Sequence, residues 1–385
     1  MSRPSDSFDA AVTRAARALS KRGVPAPRTL LSLATGLDLL PERLERAEAW
    51  PLADVEGVPR AYRGSRLFSG ELFGTSVWVL EDLCSDPQPR DRGFELAFPV
   101  WLAAQSGARF LLHASAGTVL PKLRALPGIE PPVRPEAAPR AEGRPAEGEG
   151  DGEGAAPRGK LLPLPDLSRL RPPPAVSAAA QRLLQAAKAR VEAAREAAKE
   201  AVEQSVDPVE MEAEPHEPEP GGLLFASDHL NVSGRSPLEA LGESRLGPLF
   251  PDQSRLHDPA LRRAALALAQ GRGLFPSVGV VACTPAPHLD TPAESRAWAL
   301  LGASAAVQGL ATPLIAAAHA GLSALSLVAL IDAAGEQLAV RRLLERAEKA
   351  APLLEECLIA AVEAVAGLDI EGEEAGGKVR PKGRP

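Results

Sequence analysis

Residues 277–332 read SVGVVACTPAPHLDTPAESRAWALLGASAAVQGLATPLIAAAHAGLSALSLVALID, and the succession of signals in this stretch decides the fold class. An apolar run, Val278–Cys283, breaks at a proline-rich loop. Thr291-Pro292-Ala293-Glu294 then opens a helix. The threonine is placed to accept from free backbone N–H groups, proline stands where its missing N–H costs nothing, and the glutamate reaches back. The small residues between Gly302 and Gly309 read as a strand, the alanine-rich segment bearing His319 as a helix, and Ala324–Ile331 as a further strand ending at Asp332.

Outward from this stretch the rhythm repeats. Apolar runs at Thr29–Ala34, Ser76–Leu80, Arg109–Ala114, Leu223–Ala226, Val278–Cys283, Ala303–Val307 and Ala324–Ile331 alternate with helical patterns. They predict an α/β fold, a mixed, mostly parallel twisted sheet flanked by helices. The spacing of Phe8, Val12, Ala16 and Leu19 predicts an amphipathic first helix.

The rhythm stops near Gly128. Residues 129–159 are Pro, Ala, Gly and Glu with scarcely a bulky apolar side chain, too few to offset the entropy of ordering them. Residues 163–174 are proline-rich, whereas 177–204 are helix formers almost throughout, enough for a helix roughly 40 Å long. The apolar side of that helix is narrow, which suits a spacer or a self-association seam. An acidic linker, 207–220, follows. The sequence therefore predicts one discontinuous domain, 1–128 and 221–368, interrupted by an insertion at 129–220 and trailed by a disordered tail, 369–385.

The 385 residues carry a formal net charge of −7, which gives no general attraction to nucleic acid or to an anionic membrane. Three cysteines, Cys84, Cys283 and Cys357, have no paired spacing and suit a reducing compartment. The first residues lack the apolar core of a secretory signal, and every long apolar stretch is broken by glycine or polar residues. A soluble cytoplasmic protein is expected. The six histidines and three cysteines show no metal-ligand spacing, so no metal site is expected.

Several short motifs, in the right order and at nearly the right separations, resemble the purine nucleoside phosphorylase and methylthioadenosine phosphorylase family. Thr291–Glu294 falls in that family's G-P-S-F-E-T-x-A-E segment, and Arg66–Gly74 matches its R-L-x-x-G-x-L-x-G hairpin. Phe98-Pro99-Val100 matches F-P-V, and Asp228-His229-Leu230-Asn231 matches D-H-x-N. Ala34-Thr35-Gly36-Leu37 takes the place of a G-S-G-L phosphate turn, and His113–Gly117 that of T-N-A-A-G-G. The resemblance implies the nucleoside phosphorylase fold and, by family, a pentosyltransferase without cofactor that uses inorganic phosphate as co-substrate. It also implies a purine base or nucleoside as ligand and a homo-trimer.

The residues that perform the family's chemistry are mostly replaced. In Glu81–Pro87, Leu83, Ser85 and Pro87 stand for the family's arginine, histidine and tyrosine, and Glu81 and Asp82 would repel a phosphate dianion. Arg63 replaces a phosphate-binding histidine and keeps a cation. The resemblance assigns phosphate and sugar contacts to Thr35, Arg63, Ser115, Ala116 and Gly309, and purine contacts to Leu289, Asp290 and Gln308. Asp332, in place of an asparagine beside purine N7, is the candidate catalytic residue. Asp290 has an alternative reading as a helix-end carboxylate, and His319 reads as a structural histidine. Val340 stands where the family has a histidine at the ribose 5′ end, and a short deletion precedes Ser236.

Two functions fit. One is a family member with lost or strongly reduced phosphorolysis that binds a purine compound, or a protein partner through the inserted helix. The alternative is a diverged but active purine nucleoside phosphorylase.

Overall fold

A computed structural model describes residues 4–33, 40–81, 83, 93–122, 216–241, 243–336 and 339–375. Nine strands form one sheet: β1 (Thr29–Leu33), β2 (Glu45–Pro51), β3 (Arg66–Leu72), β4 (Thr75–Glu81), β5 (Phe110–Val119), β6 (Leu223–Asn231), β7 (Ser277–Thr284), β8 (Ala303–Gln308) and β9 (Ser323–Ala333). The helices are α1 (Pro4–Lys21), α2 (Gly93–Leu96), α3 (Phe98–Ser106), α4 (Pro237–Leu241), α5 (Pro259–Gly271), α6 (Pro292–Leu300), α7 (Ala311–Ala320) and α8 (Val340–Ala375). The mixed sheet flanked by helices is the architecture the apolar rhythm predicts, and each predicted strand is present. The insertion with its helix at 177–204 lies outside the described residues, apart from its last few residues at 216–220.

The strands run in the order β2-β3-β4-β1-β5-β8-β7-β6-β9, and β9 pairs again with β5. Strands β5 to β9 therefore close a ring, from which β1, β4, β3 and β2 extend as an open wing. Pairing is parallel for β1–β4, β1–β5, β5–β9, β6–β7 and β7–β8, and antiparallel for β2–β3, β3–β4, β5–β8 and β6–β9. Helices cover both faces, as buried parallel strands require. On one side Phe8, Val12, Ala15 and Leu19 of α1 pack with α3 and α7 in one apolar cluster. On the other, Leu261, Ala265 and Ala269 of α5 pack with Leu354, Leu358 and Val362 of α8.

Three details depart from the sequence reading. Ala15, not Ala16, completes the buried stripe of α1. Strand β2, ERAEAWP, is exposed along nearly its whole length, so it has no apolar alternation to mark it. It is held by its ladder to β3 and by a 2.8 Å hydrogen bond from Trp50 Nε1 to Ser69 Oγ. Helix α8 runs on to Ala375, beyond the expected end of order at Leu368.

Gly117 lies where β5, β8 and β9 meet. A Cβ there would stand 2.7 Å from Val328 Cγ1 and 3.0 Å from the Ala306 carbonyl oxygen. Only glycine lets the three backbones approach this closely. Lys122 and Glu217 form an ion pair just beyond β5 and before β6, so the chain returns after residues 123–215 close to where it left.

Candidate functional site

The site grows from the ends of β5, β7, β8 and β9. After β7 the chain turns through Pro285–Asp290, with a cis peptide at Ala286–Pro287. The loop is tied to the end of β8 by two hydrogen bonds, from Gly309 N to the Thr284 carbonyl (3.1 Å) and from Gln308 Nε2 to the His288 carbonyl (2.9 Å). Gly309 adopts φ of 73°, a conformation open to glycine without strain, which turns the chain from β8 toward α7. Thr291 caps α6 with the reciprocal box read from the sequence: Glu294 N donates to Thr291 Oγ1 and Thr291 N donates to Glu294.

Asp332 owes its position to a bulge. Gly117 pairs with Leu330 but Thr118 pairs with Asp332, so Ile331 is an extra residue in β9. Ile331 packs toward the cluster beneath α8. Asp332 is turned the other way, where Thr118 Oγ1 donates to its Oδ1 at 2.7 Å. Thr118 also pairs with Ala306 of β8, and Ala306 belongs to a small apolar cluster with Leu120, Ala282 and Trp298. Asp290 lies beside the same Trp298, whose indole N–H faces it without reaching hydrogen-bond geometry. Asp290, from the loop after β7, and Asp332, from β9, thus approach one cluster from separate segments.

Their electrostatics agree. Burial pushes the Asp332 carboxyl above the usual carboxylate range, with the Thr118 hydrogen bond opposing and Glu336 adding to the rise. Burial, then the neighbouring Glu294, raises Asp290 as well. Arg346 donates to the Ile331 carbonyl at 3.1 Å and forms a two-pronged ion pair with Glu336, at 2.7 and 2.8 Å. Ile331, Glu336 and Arg346, together with Lys349, line a cavity of about 450 Å³ on the α8 side of β9, which neither Asp290 nor Asp332 lines.

The other assigned residues are less concentrated. Leu289 is 56% exposed on the loop. Ser115 is buried, and its hydroxyl donates to the Ala116 carbonyl at 3.3 Å; Ala116 is half-buried beside it. Arg63 is exposed, and its Nε donates to the Val58 carbonyl at 3.4 Å. Val340, at the start of α8, is 70% exposed. Thr35, Asp82, Ser85 and Pro87 lie outside the described residues, whereas Leu83 packs against the apolar core. His319 is buried, and its Nδ1 accepts from Trp101 Nε1 at 3.0 Å, which fits its reading as a structural residue.

Residues 216–363, which run from just before β6 into α8 and leave out the β5 side of the arrangement, match the family model described as the phosphorylase superfamily. That stretch of the chain is similar to the superfamily's pattern. Its sequence is 37% identical over 109 residues to purine nucleoside phosphorylase 1 of Geobacillus stearothermophilus, a match covering 28% of this chain and 40% of that protein. A purine nucleoside phosphorylase of Cellulomonas is 39% identical over 109 residues, 27% of this chain and 33% of the relative. The aligned sequence thus spans well under half of either relative's length.

The backbone likeness extends further than the sequence likeness. A schistosome purine nucleoside phosphorylase crystallised with hypoxanthine superposes with a TM-score of 0.59, covering 91% of this chain and 96% of that one at 15% identity. The guanosine complex of the schistosome enzyme gives 0.57 at the same identity. At such identity the superposition establishes the fold and nothing about the chemistry.

Thr118, Glu336 and Arg346 were not singled out by sequence reasoning. The signal for Thr118 was present in the family-like turn it follows, but its partner is set by the bulge at Ile331, which no local pattern announces.

Proposed function

We propose that this protein binds a purine compound at the face shared by Asp290, Gln308 and Asp332, and that phosphorolysis there is lost or strongly reduced. The observation that carries this reading is the state of two residues expected to hold phosphate. Arg63 Nε and the Ser115 hydroxyl each donate to a main-chain carbonyl. Phosphorolysis needs a fixed anion, a cationic sugar and a stabilised leaving base at once, and losing one placed donor costs about a hundredfold or more. Leu83 stands inward where a phosphate-binding arginine is expected, and a leucine supplies no donor.

The purine half of the site keeps its chemistry. A carboxyl held above its usual range is an acid that can donate to a ring nitrogen, and a second carboxyl can accept from an exocyclic amine. The raised Asp332 is also what a leaving-group acid requires, and it favours the alternative of a working, diverged purine nucleoside phosphorylase. A homo-trimer, association with a protein partner through the helix at 177–204, and a cytoplasmic location complete the proposal. The deciding experiment is cleavage of inosine and adenosine by the purified protein with and without inorganic phosphate, alongside calorimetry of purine binding. Purine binding with trace cleavage supports the proposal. Phosphate-dependent turnover at about 1 per second or faster establishes the alternative, and failure to bind any purine removes both.

A further inference from the structure

Away from the Asp332 face, the end of β6 and the segment leading into α5 bring together three side chains that the sequence keeps apart. His229 Nδ1 and His257 Nε2 stand 3.0 Å from each other, and the Asp228 carboxylate is 3.9 Å from His229 Nδ1. All three potential ligand atoms lie within 4.8 Å of one another. We propose that Asp228, His229 and His257 form a binding site for a first-row divalent metal ion, zinc above all.

Two ring nitrogens and one carboxylate oxygen are the ligand set that zinc takes with a fourth position left to water. Nitrogens bound tetrahedrally at zinc would be separated by about 3.3 Å, given Zn–N bonds of roughly 2.0–2.1 Å. The observed pair needs only a few tenths of an ångström of opening. A ligand set dominated by imidazole selects against calcium and magnesium, which prefer oxygen.

The site is pre-organised by the backbone. Ser227 is an extra residue in β6, since Ala226 pairs with Gly279 and Asp228 with Val280, and this bulge aims the two residues that follow it. His229 itself is fixed by pairing with Val281. His257 is pinned on both sides to the start of β9: Ala324 N donates to the Leu256 carbonyl at 2.8 Å and Asp258 N to the Ala324 carbonyl at 3.4 Å. Asp228 is exposed, so an ion reaches the two buried rings from its side. A bound ion would clip β6 to the segment that starts α5.

The test uses tag-free full-length protein stripped with a chelator. Zinc titrated calorimetrically should bind at one equivalent and raise the melting temperature, because an ion that binds only the folded chain stabilises it. Cobalt should give the intense visible absorption of a tetrahedral site. His257→Gln should abolish the cobalt signature and weaken zinc at least about tenfold, as should Asp228→Ala, whose exposed side chain makes a folding defect avoidable. No stoichiometric zinc binding by the wild-type protein overturns the proposal. So does unchanged zinc affinity in Asp228→Ala, which also decides the matter should His257→Gln fail to fold.

Discussion

Thr118 and Asp332, on neighbouring parallel strands, share a 2.7 Å hydrogen bond that exists because Ile331 bulges out of the ladder between β5 and β9. The carboxyl that the family pattern points to is therefore held by a residue more than two hundred positions earlier in the chain. Replacing Thr118 by valine keeps the shape and removes the donor. The expected loss is about 1–3 kcal/mol of stability, the usual cost of leaving a buried acceptor unpaired, measured by urea unfolding near neutral pH. Stability equal to wild type would mean that water takes over the bond.

Acidification should strengthen purine binding. The folded Asp332 carboxyl is raised by burial, so it takes up its proton at a higher pH than an unfolded chain would. Its contribution to stability is complete below the unfolded value and is lost as pH rises through the folded one. A protonated acid donating to N7 follows the same direction, so adenine affinity should increase on going from about pH 7 to about pH 5. Adenine should also bind more tightly than hypoxanthine or guanine. Calorimetry that finds affinity flat with pH, or unchanged in Asp332→Ala, counts against Asp332 as the contact.

With inosine, guanosine or adenosine and saturating phosphate, turnover should remain below the ordinary enzyme range of about 1 to 1,000 per second. Coupled detection of the released base reads this directly. Rates inside that range would show that groups other than Arg63 and Ser115 hold the phosphate.

Gly117→Ala should destabilise the fold by about 1–3 kcal/mol, the usual cost of forcing an extra carbon into a packed core. The added Cβ would meet a β-branched side chain and a backbone carbonyl, neither of which yields cheaply. Denaturant midpoints of the two proteins suffice to check it.

Replacing residues 129–215 by a short Gly/Ser connection should leave the melting temperature nearly unchanged. Lys122 and Glu217 already hold the two ends together, and closure cost grows only with the logarithm of loop length. What should weaken is self-association or partner binding through the helix at 177–204, read by sedimentation. A collapsed melting transition in the deletion variant would show instead that the segment packs on the core.

The strands and the α6 cap were legible because their signals are local: apolar runs of strand length, and a threonine three residues before a glutamate. Strand β2 was not, because a strand exposed nearly throughout needs no apolar residues and leaves no period to read. The candidate site was legible only as a set of proposed positions, Asp290, Gln308 and Asp332, named by motif order. Its contacts were not. Two single-residue bulges, at Ile331 and Ser227, decide which face Asp332 and His229 present, and a bulge is a property of two strands at once. The same reason hid the juxtaposition of His229 and His257, whose spacing along the chain resembles no ligand motif.

Ring closure from β5 to β9 leaves β2 as the free margin of the sheet among the described strands. Such margins invite pairing with another molecule, in the way that seeds aggregates. Here the margin defends itself. Glu45, Arg46 and Glu48 line it with charge, Arg46 at φ of 53° falls where the register with β3 shifts, and Pro51 withholds a donor at its end. The poor apolar content that kept β2 out of sight in the sequence is thus a safeguard of solubility, and neutralising those three charges should be the shortest route to insoluble protein.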